Sequence, residues 1–358
     1  MKKIQEECVT LVIHKREKIF KDVDVKTGKE KKWKLEKKEV KFVMSSYERL
    51  KNFPKADRLR GCATFLQFKK FKIDDSLKLT FANFCQCRLC PMCAKRRSLK
   101  VFSQTSKIMN IIKDDYAFLF LTLTLKTCEN EELKEQMDLM FKSFNKMFQR
   151  KAIKQISKGW FRALEIVHDP QVKITKEMYK KKKDYYDFRG LKVGDDNPNY
   201  TKYHAHLHVI VAVNKSYFTS RYYLNHDEWV KLWKESTKVN YDPIVNIKRF
   251  NRNRNIQKSV NEAAKYTVKS SDYIIKNDME LTDKVIETLD KALAYRRLVA
   301  YGGRLKEVHK ELNLDDPIDG DLVNAEIEDE VRFDDFMILN VRWNVGLQNY
   351  FIDDEFEA

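Results

Sequence analysis

Between His204 and Val213 the chain reads His-Ala-His-Leu-His-Val-Ile-Val-Ala-Val. The β-branched residues from Leu207 to Val213 mark it as a strand. Side chains alternate across a strand, so His204, His206 and His208 point the same way. Three imidazoles on one face make a poor plain core, because burial costs desolvation and protonation makes them repel. Neutral imidazoles bound to a divalent ion recover that cost through coordination. Two such ligands hold an ion loosely, and a third is expected from a neighbouring strand. Glu165, inside the apolar run Ala163 to Val167, is the first candidate, since an unpaired carboxylate there would be costly. His168 is the second. A nitrogen and oxygen set of this kind suits Mg²⁺ or Mn²⁺ in phosphate chemistry, with zinc as the other choice.

Such a strand needs a sheet around it. Phe118 to Leu125 reads as a central strand buried on both faces, and Phe161 to Val167 as another. Val245 to Ile247 offers a short strand. Leu133, Met137, Met140, Phe141, Phe144 and Met147 recur at helical spacing within residues 131–150. Trp229 and Trp233 fall four apart on a further helix, and residues 260–273 have helical character. Val9 to Ile13 reads as a strand, and Glu36 to Met44 as a strand or short helix. The sum is an α+β fold around a mainly antiparallel sheet flanked by helices. The stretch from Asp169 to Tyr203, with Lys180 to Lys183 in sequence, is a long basic excursion between two strands.

The formal charge is +17, from 70 Lys and Arg against 53 Asp and Glu. That excess points to a polyanionic partner. It is unevenly placed: residues 315–358 hold fourteen acidic and two basic residues, a net of −12, leaving +29 before them. Residues 313–358 are therefore expected to form a detached acidic tail. No stretch is long and apolar enough to be a secretory or membrane-spanning segment, and a cytoplasmic location is expected, with no membrane partner.

Four of the seven cysteines crowd between Cys85 and Cys93, which fits a metal site in a reducing compartment. Cys90-Pro-Met-Cys93 has knuckle spacing, and Cys62 upstream would complete four thiolates around zinc. Cys85 and Cys87 compete for the remaining place, since Cys87 also makes a Cys-x2-Cys pair with Cys90. Cys8 and Cys128 read as ordinary thiols. A zinc ion would stabilise a lobe with little core of its own. The expected divisions are a basic N-terminal region at 1–57, a cysteine-rich zinc-binding segment at 58–110, a catalytic domain at 111–312, and the tail.

A second chemical element lies downstream. Glu262 and Tyr266 are four apart, as are Lys265 and Lys269, so each pair shares a helix face. A phenol beside a carboxylate and lysines can be oriented and deprotonated as a covalent nucleophile. Tyr273, seven residues on, is its rival.

In order along the chain stand Phe120-Leu-Thr-Leu-Thr124, Arg162-Ala-Leu-Glu165, the histidine run, Glu262, Lys265-Tyr-Thr-Val-Lys269, Arg296-Arg-Leu298 and Gly302-Gly303. This ordered set resembles the replication initiator (Rep) proteins of rolling-circle plasmids, within the HUH endonuclease class, over residues 58–310. The spacing from Cys85 through Cys93 resembles the same family's cysteine motif, which favours Cys62, Cys85, Cys90 and Cys93 as the zinc set. The chain departs from the family in having Ala205 where proline is common, and in the length of its excursion. The resemblance implies an HUH fold that nicks origin DNA, single-stranded or extruded as a hairpin beside duplex. Tyr266 would form a 5′-phosphotyrosine and release a 3′-OH primer, with Glu262 activating water in the terminating cleavage. Host helicase and polymerase are the implied partners. Competing readings are a relaxase or single-strand transposase of the same class, and a non-catalytic zinc-containing DNA-binding regulator.

Overall fold

A computed structural model describes residues 18–25, 27–249, 260, 268–325 and 334–357. The fold is α+β, built on two antiparallel five-stranded sheets. The first half supplies β1 (Lys18–Ile19), α1 (Trp33–Arg49), α2 (Phe53–Gly61), β2 (Phe65–Phe71), β3 (Leu77–Ala82) and α3 (Pro91–Ile112). The ambiguous segment at Glu36 is helical because Trp33, Lys37, Val40, Val43 and Tyr47 fall at three- and four-residue intervals and are all buried. The expected strand at Val9 to Ile13 lies outside the described residues.

The second sheet is made of β4 (Tyr116–Thr124), β5 (Ser157–His168), β6 (Tyr203–Asn214), β7 (Val245–Arg249) and β8 (Val299–Gly303), in the order β7-β4-β6-β5-β8. β6 occupies the middle, and Leu207 and Val209 to Val213 are wholly inaccessible. The helices that flank this region are α4 (Leu133–Gln149), α5 (Lys151–Ile156), α6 (Lys176–Lys181), α7 (Lys183–Asp187) and α8 (His226–Thr237). After them come α9 (Ser270–Tyr273), α10 (Met279–Leu293) and α11 (Arg304–Glu311). α4 buries Leu133, Met137, Met140, Phe144 and Met147, the stripe its spacing predicts. Trp229 and Trp233 of α8 are fully buried, and the Trp233 indole donates to the Thr124 carbonyl at 2.9 Å, so α8 is pinned to β4. Of the helix expected at 260–273, only α9, Val260 and Val268 to Lys269 fall within the described residues.

The last strands correct one expectation. The described residues of the 313–358 segment are not a detached tail. β9 (Phe336–Asn344) and β10 (Asn349–Glu357) complete the first sheet, whose order is β1-β10-β9-β2-β3. β9 pairs along the whole of β2, from Phe65 with Arg342 to Phe71 with Phe336. Leu339 and Val341 are buried on this strand, and the Tyr350 hydroxyl donates to the Ala63 carbonyl at 2.6 Å. Acidic residues such as Asp353 and Asp354 occupy exposed positions of the same hairpin, which is why charge counting missed it. The cysteine-rich lobe thus has a sheet of its own, closed by the far end of the chain, and its buried residues are continuous with the core of the second sheet.

Residues 315–323 reach that hairpin by crossing α3. Lys100, with 2 % of its side chain exposed, meets the Asp315 carboxylate at 2.5 Å and the Asp321 carbonyl at 2.8 Å. Arg97 donates to the Ile318 carbonyl and Arg96 to those of Leu322 and Val323. Three basic side chains of one helix thereby satisfy the backbone of an acidic strap.

Candidate active site

Strand pairing assembles the histidine face. β5 sets Glu165 opposite His206, and β4 sets Thr124 opposite His206 and Thr122 opposite His208. Directly paired residues share a face of the sheet. The long excursion therefore leaves this pairing intact. His208 is buried with Glu165, and its Nε2 lies 2.7 Å from Glu165 Oε2. Burial alone would raise the Glu165 pKa, but the hydrogen bond and charge of His208, with Lys269, bring it down to about 2. The carboxylate is ionised at neutral pH, so Nε2 carries the proton and donates it. The Thr122 hydroxyl lies 3.3 Å from the other ring nitrogen, and Phe120 stacks on the ring at 5.8 Å.

His206 lies between its neighbours, with ring centroids 4.2 Å from His204 and 6.1 Å from His208. Burial, reinforced by the charge of His204, pushes its pKa down to about 3, so the ring is neutral at pH 7. Its Nδ1 is buried without a hydrogen-bond partner among the described residues. A second imidazole and a carboxylate lie beside it, donor types that suit a divalent ion, whereas the cysteines form the one group of ligand atoms within 4.8 Å of one another among the described residues. Burial lowers the His204 pKa as well.

Lys269 reaches the same cluster, with Nζ 3.7 Å from Glu165 Oε1. Of the predicted catalytic set Glu262, Lys265, Tyr266 and Lys269, it alone lies within the described residues. The rival Tyr273 is buried, and its hydroxyl donates to the Leu89 carbonyl at 2.9 Å, facing the cysteine lobe. His168 does not join the cluster. Three residues from Glu165 on the same strand, it faces the other way, packing at 4.8 Å on Tyr203 and bonding the Asp272 carbonyl through Nδ1 at 2.8 Å. Sequence reasoning passed over Thr122, although two threonines inside an apolar strand were the available signal. It also passed over Asp272, whose carboxyl burial pushes up to about 6.

The cysteine centre is separate. The sulfurs of Cys62, Cys85, Cys90 and Cys93 all lie within 4.8 Å of one another, and all four residues are buried. Three of the separations are 3.5 to 3.6 Å. Four sulfurs at zinc-bond length in a tetrahedron stand about 3.8 Å apart, so the group fits zinc. Cys90 caps α3 and Cys93 lies in its first turn, where the helix N-terminus favours thiolates. Burial, with the neighbouring sulfurs, holds the Cys90 thiol well above its ordinary value, so four thiolates there require a cation. The backbone amide of Cys85 donates to Cys62 Sγ and that of Cys87 to Cys85 Sγ, both at 3.4 Å. Cys87 is buried outside the sulfur group. Lys37, unremarkable in the sequence, is buried beside the centre and bonds the Cys62 carbonyl. Burial lowers its pKa, and the four sulfurs oppose that shift.

No helix of the described residues is long and apolar enough to cross a membrane. The chain matches a family model described as replication protein over residues 76–351. It is 36% identical over 353 residues to a curated "Protein rep" of Bacillus amyloliquefaciens, covering 91% of this chain and 95% of that protein. A "Protein rep" of Lentilactobacillus hilgardii is 35% identical, covering 94% of this chain and 99% of its own length. A "Replication protein" of Staphylococcus aureus is 34% identical over 248 residues, 68% of this chain and 93% of the relative. No solved structure matches significantly. With the model match spanning most of its length, the chain belongs to the Rep family of plasmid replication proteins.

Proposed function

We propose that this protein starts plasmid rolling-circle replication by nicking origin DNA through a covalent tyrosine intermediate. The observation that carries the reading is the convergence of Glu165, neutral His206, His208 and Lys269 on one sheet face. His206, His208 and Glu165 would hold Mg²⁺ or Mn²⁺, with His204 beside them. Such an ion, when bound, polarises the scissile phosphate and offsets charge developing in the transition state.

Tyr266 supplies the nucleophile. Its phenolate oxygen forms a bond to phosphorus, the bond from phosphorus to the 3′ oxygen breaks, and that oxygen takes a proton to become the 3′-OH primer. The 5′ phosphate stays on the tyrosine. Lys269 and Lys265 would favour the phenolate, and Glu262 would activate water for the terminating cleavage. The cysteine centre would hold Zn²⁺ in a structural role. The partners are origin DNA, single-stranded or extruded, and the host helicase and polymerase that use the primer, in the cytoplasm.

The test is mass spectrometry of the denatured protein after incubation with its own supercoiled plasmid and Mn²⁺. An oligonucleotide adduct on Tyr266, lost in Tyr266→Phe while DNA binding survives, is expected. Nicking that persists in Tyr266→Phe, or in His206→Ala, overturns the assignment. A relaxase or transposase of the same class would form the adduct on a different DNA target, and a non-catalytic regulator would form none.

A further inference from the structure

The excursion between β5 and β6 is a folded cap. It leaves the sheet after His168, three residues beyond Glu165, and re-enters at Tyr203, next to His204. Its stem is closed by backbone hydrogen bonds from Asp169 to Lys202 and from Thr201 to Asp169, and by a bridge and ion pair between Lys173 and Asp196. Tyr186 is fully buried as its small core, stacked on Tyr179 at 5.8 Å and met edge-on by Tyr185 at 5.2 Å. This ordered unit stands at the histidine end of the sheet.

Its outer surface is basic and aromatic. Lys180, Lys182 and Lys183 are exposed and make no ion pair among the described residues, whereas Lys181 is neutralised by Glu177. Phe188 is 88 % exposed, and the adjoining Arg189 guanidinium lies 4.0 Å over the Tyr185 ring. The unit that carries this surface is anchored beside the site, since its stem leaves β5 three residues beyond Glu165 and joins β6 next to His204. Unneutralised lysines attract phosphates of any nucleic acid. A bare aromatic ring adds affinity only where bases are unpaired and free to stack.

We propose that the 169–202 cap is a clamp for single-stranded DNA, in which Lys180, Lys182 and Lys183 contact backbone phosphates flanking the scissile one and Phe188 stacks on a base. The clamp rests on the nicking function proposed above and gives that site its strand recognition.

The test compares full-length wild type, Phe188→Ala, Phe188→Trp and the Lys180/Lys182/Lys183→Ala triple. Fluorescence anisotropy follows a labelled 30-nucleotide mixed-sequence single strand and its duplex, without added divalent ion, across a salt series. Phe188→Ala should weaken single-strand binding about 5- to 50-fold without altering the salt dependence. Phe188→Trp should restore it, and duplex binding should be untouched. The triple variant should lower the slope of log affinity against log salt by about 2, since each single-strand phosphate contact contributes about 0.7. Variants that bind the single strand as wild type does, or a Phe188→Ala that weakens strand and duplex alike, overturn the clamp. Because the readout is binding, loss of the clamp leaves the Tyr266 adduct as a separate question. A wild type that binds through Phe188 yet forms no adduct overturns the nicking reading alone.

Discussion

Asp315→Ala should destabilise the protein far more than Lys100→Met, although the two residues form one ion pair. Lys100 is buried along α3, while the Asp315 side chain is 49 % exposed. The Asp315 carboxylate accepts from Lys100 Nζ at 2.5 Å, Gln104 Nε2 at 3.0 Å and the Asp321 amide at 2.9 Å. Removing it leaves a buried ammonium with only the Asp321 carbonyl, and the Asp321 amide short of a partner, while Gln104 Nε2 keeps the Asp315 backbone carbonyl at 3.0 Å. A hydrogen bond to a charged group contributes about 1.5–3 kcal/mol, and the neutral donor recovers part of its loss from water. The cost is therefore about 3 kcal/mol. Lys100→Met removes the buried charge instead, keeps an apolar side chain of similar reach, and leaves a carboxylate that water and its two other donors still satisfy. Its cost is about 0–1 kcal/mol. For a chain of this length 3 kcal/mol lowers the melting temperature by roughly 4 °C. Differential scanning calorimetry of wild type, both single variants and the double variant measures the asymmetry. The double variant should recover most of the Asp315→Ala loss. A Lys100→Met variant as unstable as Asp315→Ala, or a double variant no better than Asp315→Ala, would refute the argument that the unpaired buried lysine dominates.

Two further outcomes follow from the sites. Zinc bound per chain, measured by inductively coupled plasma mass spectrometry, should be lost in Cys90→Ser and kept in Cys87→Ser; Lys37→Met should keep the metal but release it to a chelator about 10- to 100-fold faster. Asp272, raised by burial to about 6 from an ordinary 3.8, holds its proton more tightly folded than unfolded. The penalty is thus absent below about pH 4 and complete above about pH 6, and stability falls as pH rises between them. Asp272→Asn should melt higher than wild type at pH 7.5, by roughly 1–3 kcal/mol in stability, and match it near pH 4. A gain that is the same at both pH values would show that burial of the charge is not its origin.

Much of the histidine-bearing sheet was legible in the sequence. Strand alternation alone put three imidazoles on one face, and an isolated carboxylate in an apolar strand marked Glu165 as needing a partner. The methionine and phenylalanine stripe of α4 and the paired tryptophans of α8 followed from helical periodicity in the same way. These are local properties: the side-chain period and the cost of burying charge are set by residues within one turn or one strand.

Other features depended on segments far apart in sequence meeting. The opposition of Glu165 and His206 required β5 and β6 to pair across 34 intervening residues, and nothing in either strand specifies that register. The contribution of β9 and β10 to the cysteine lobe was hidden because net charge averages over both faces of a strand, whereas packing uses only the buried one. Nothing local marks Lys37 and Lys100 as buried, because the sulfur centre and the acidic strap that cover them come from other parts of the chain. The sequence by itself determined the chemistry on each strand and helix. The tertiary structure decided which faces meet, because that choice depends on long-range burial and pairing, to which residues hundreds of positions apart contribute equally.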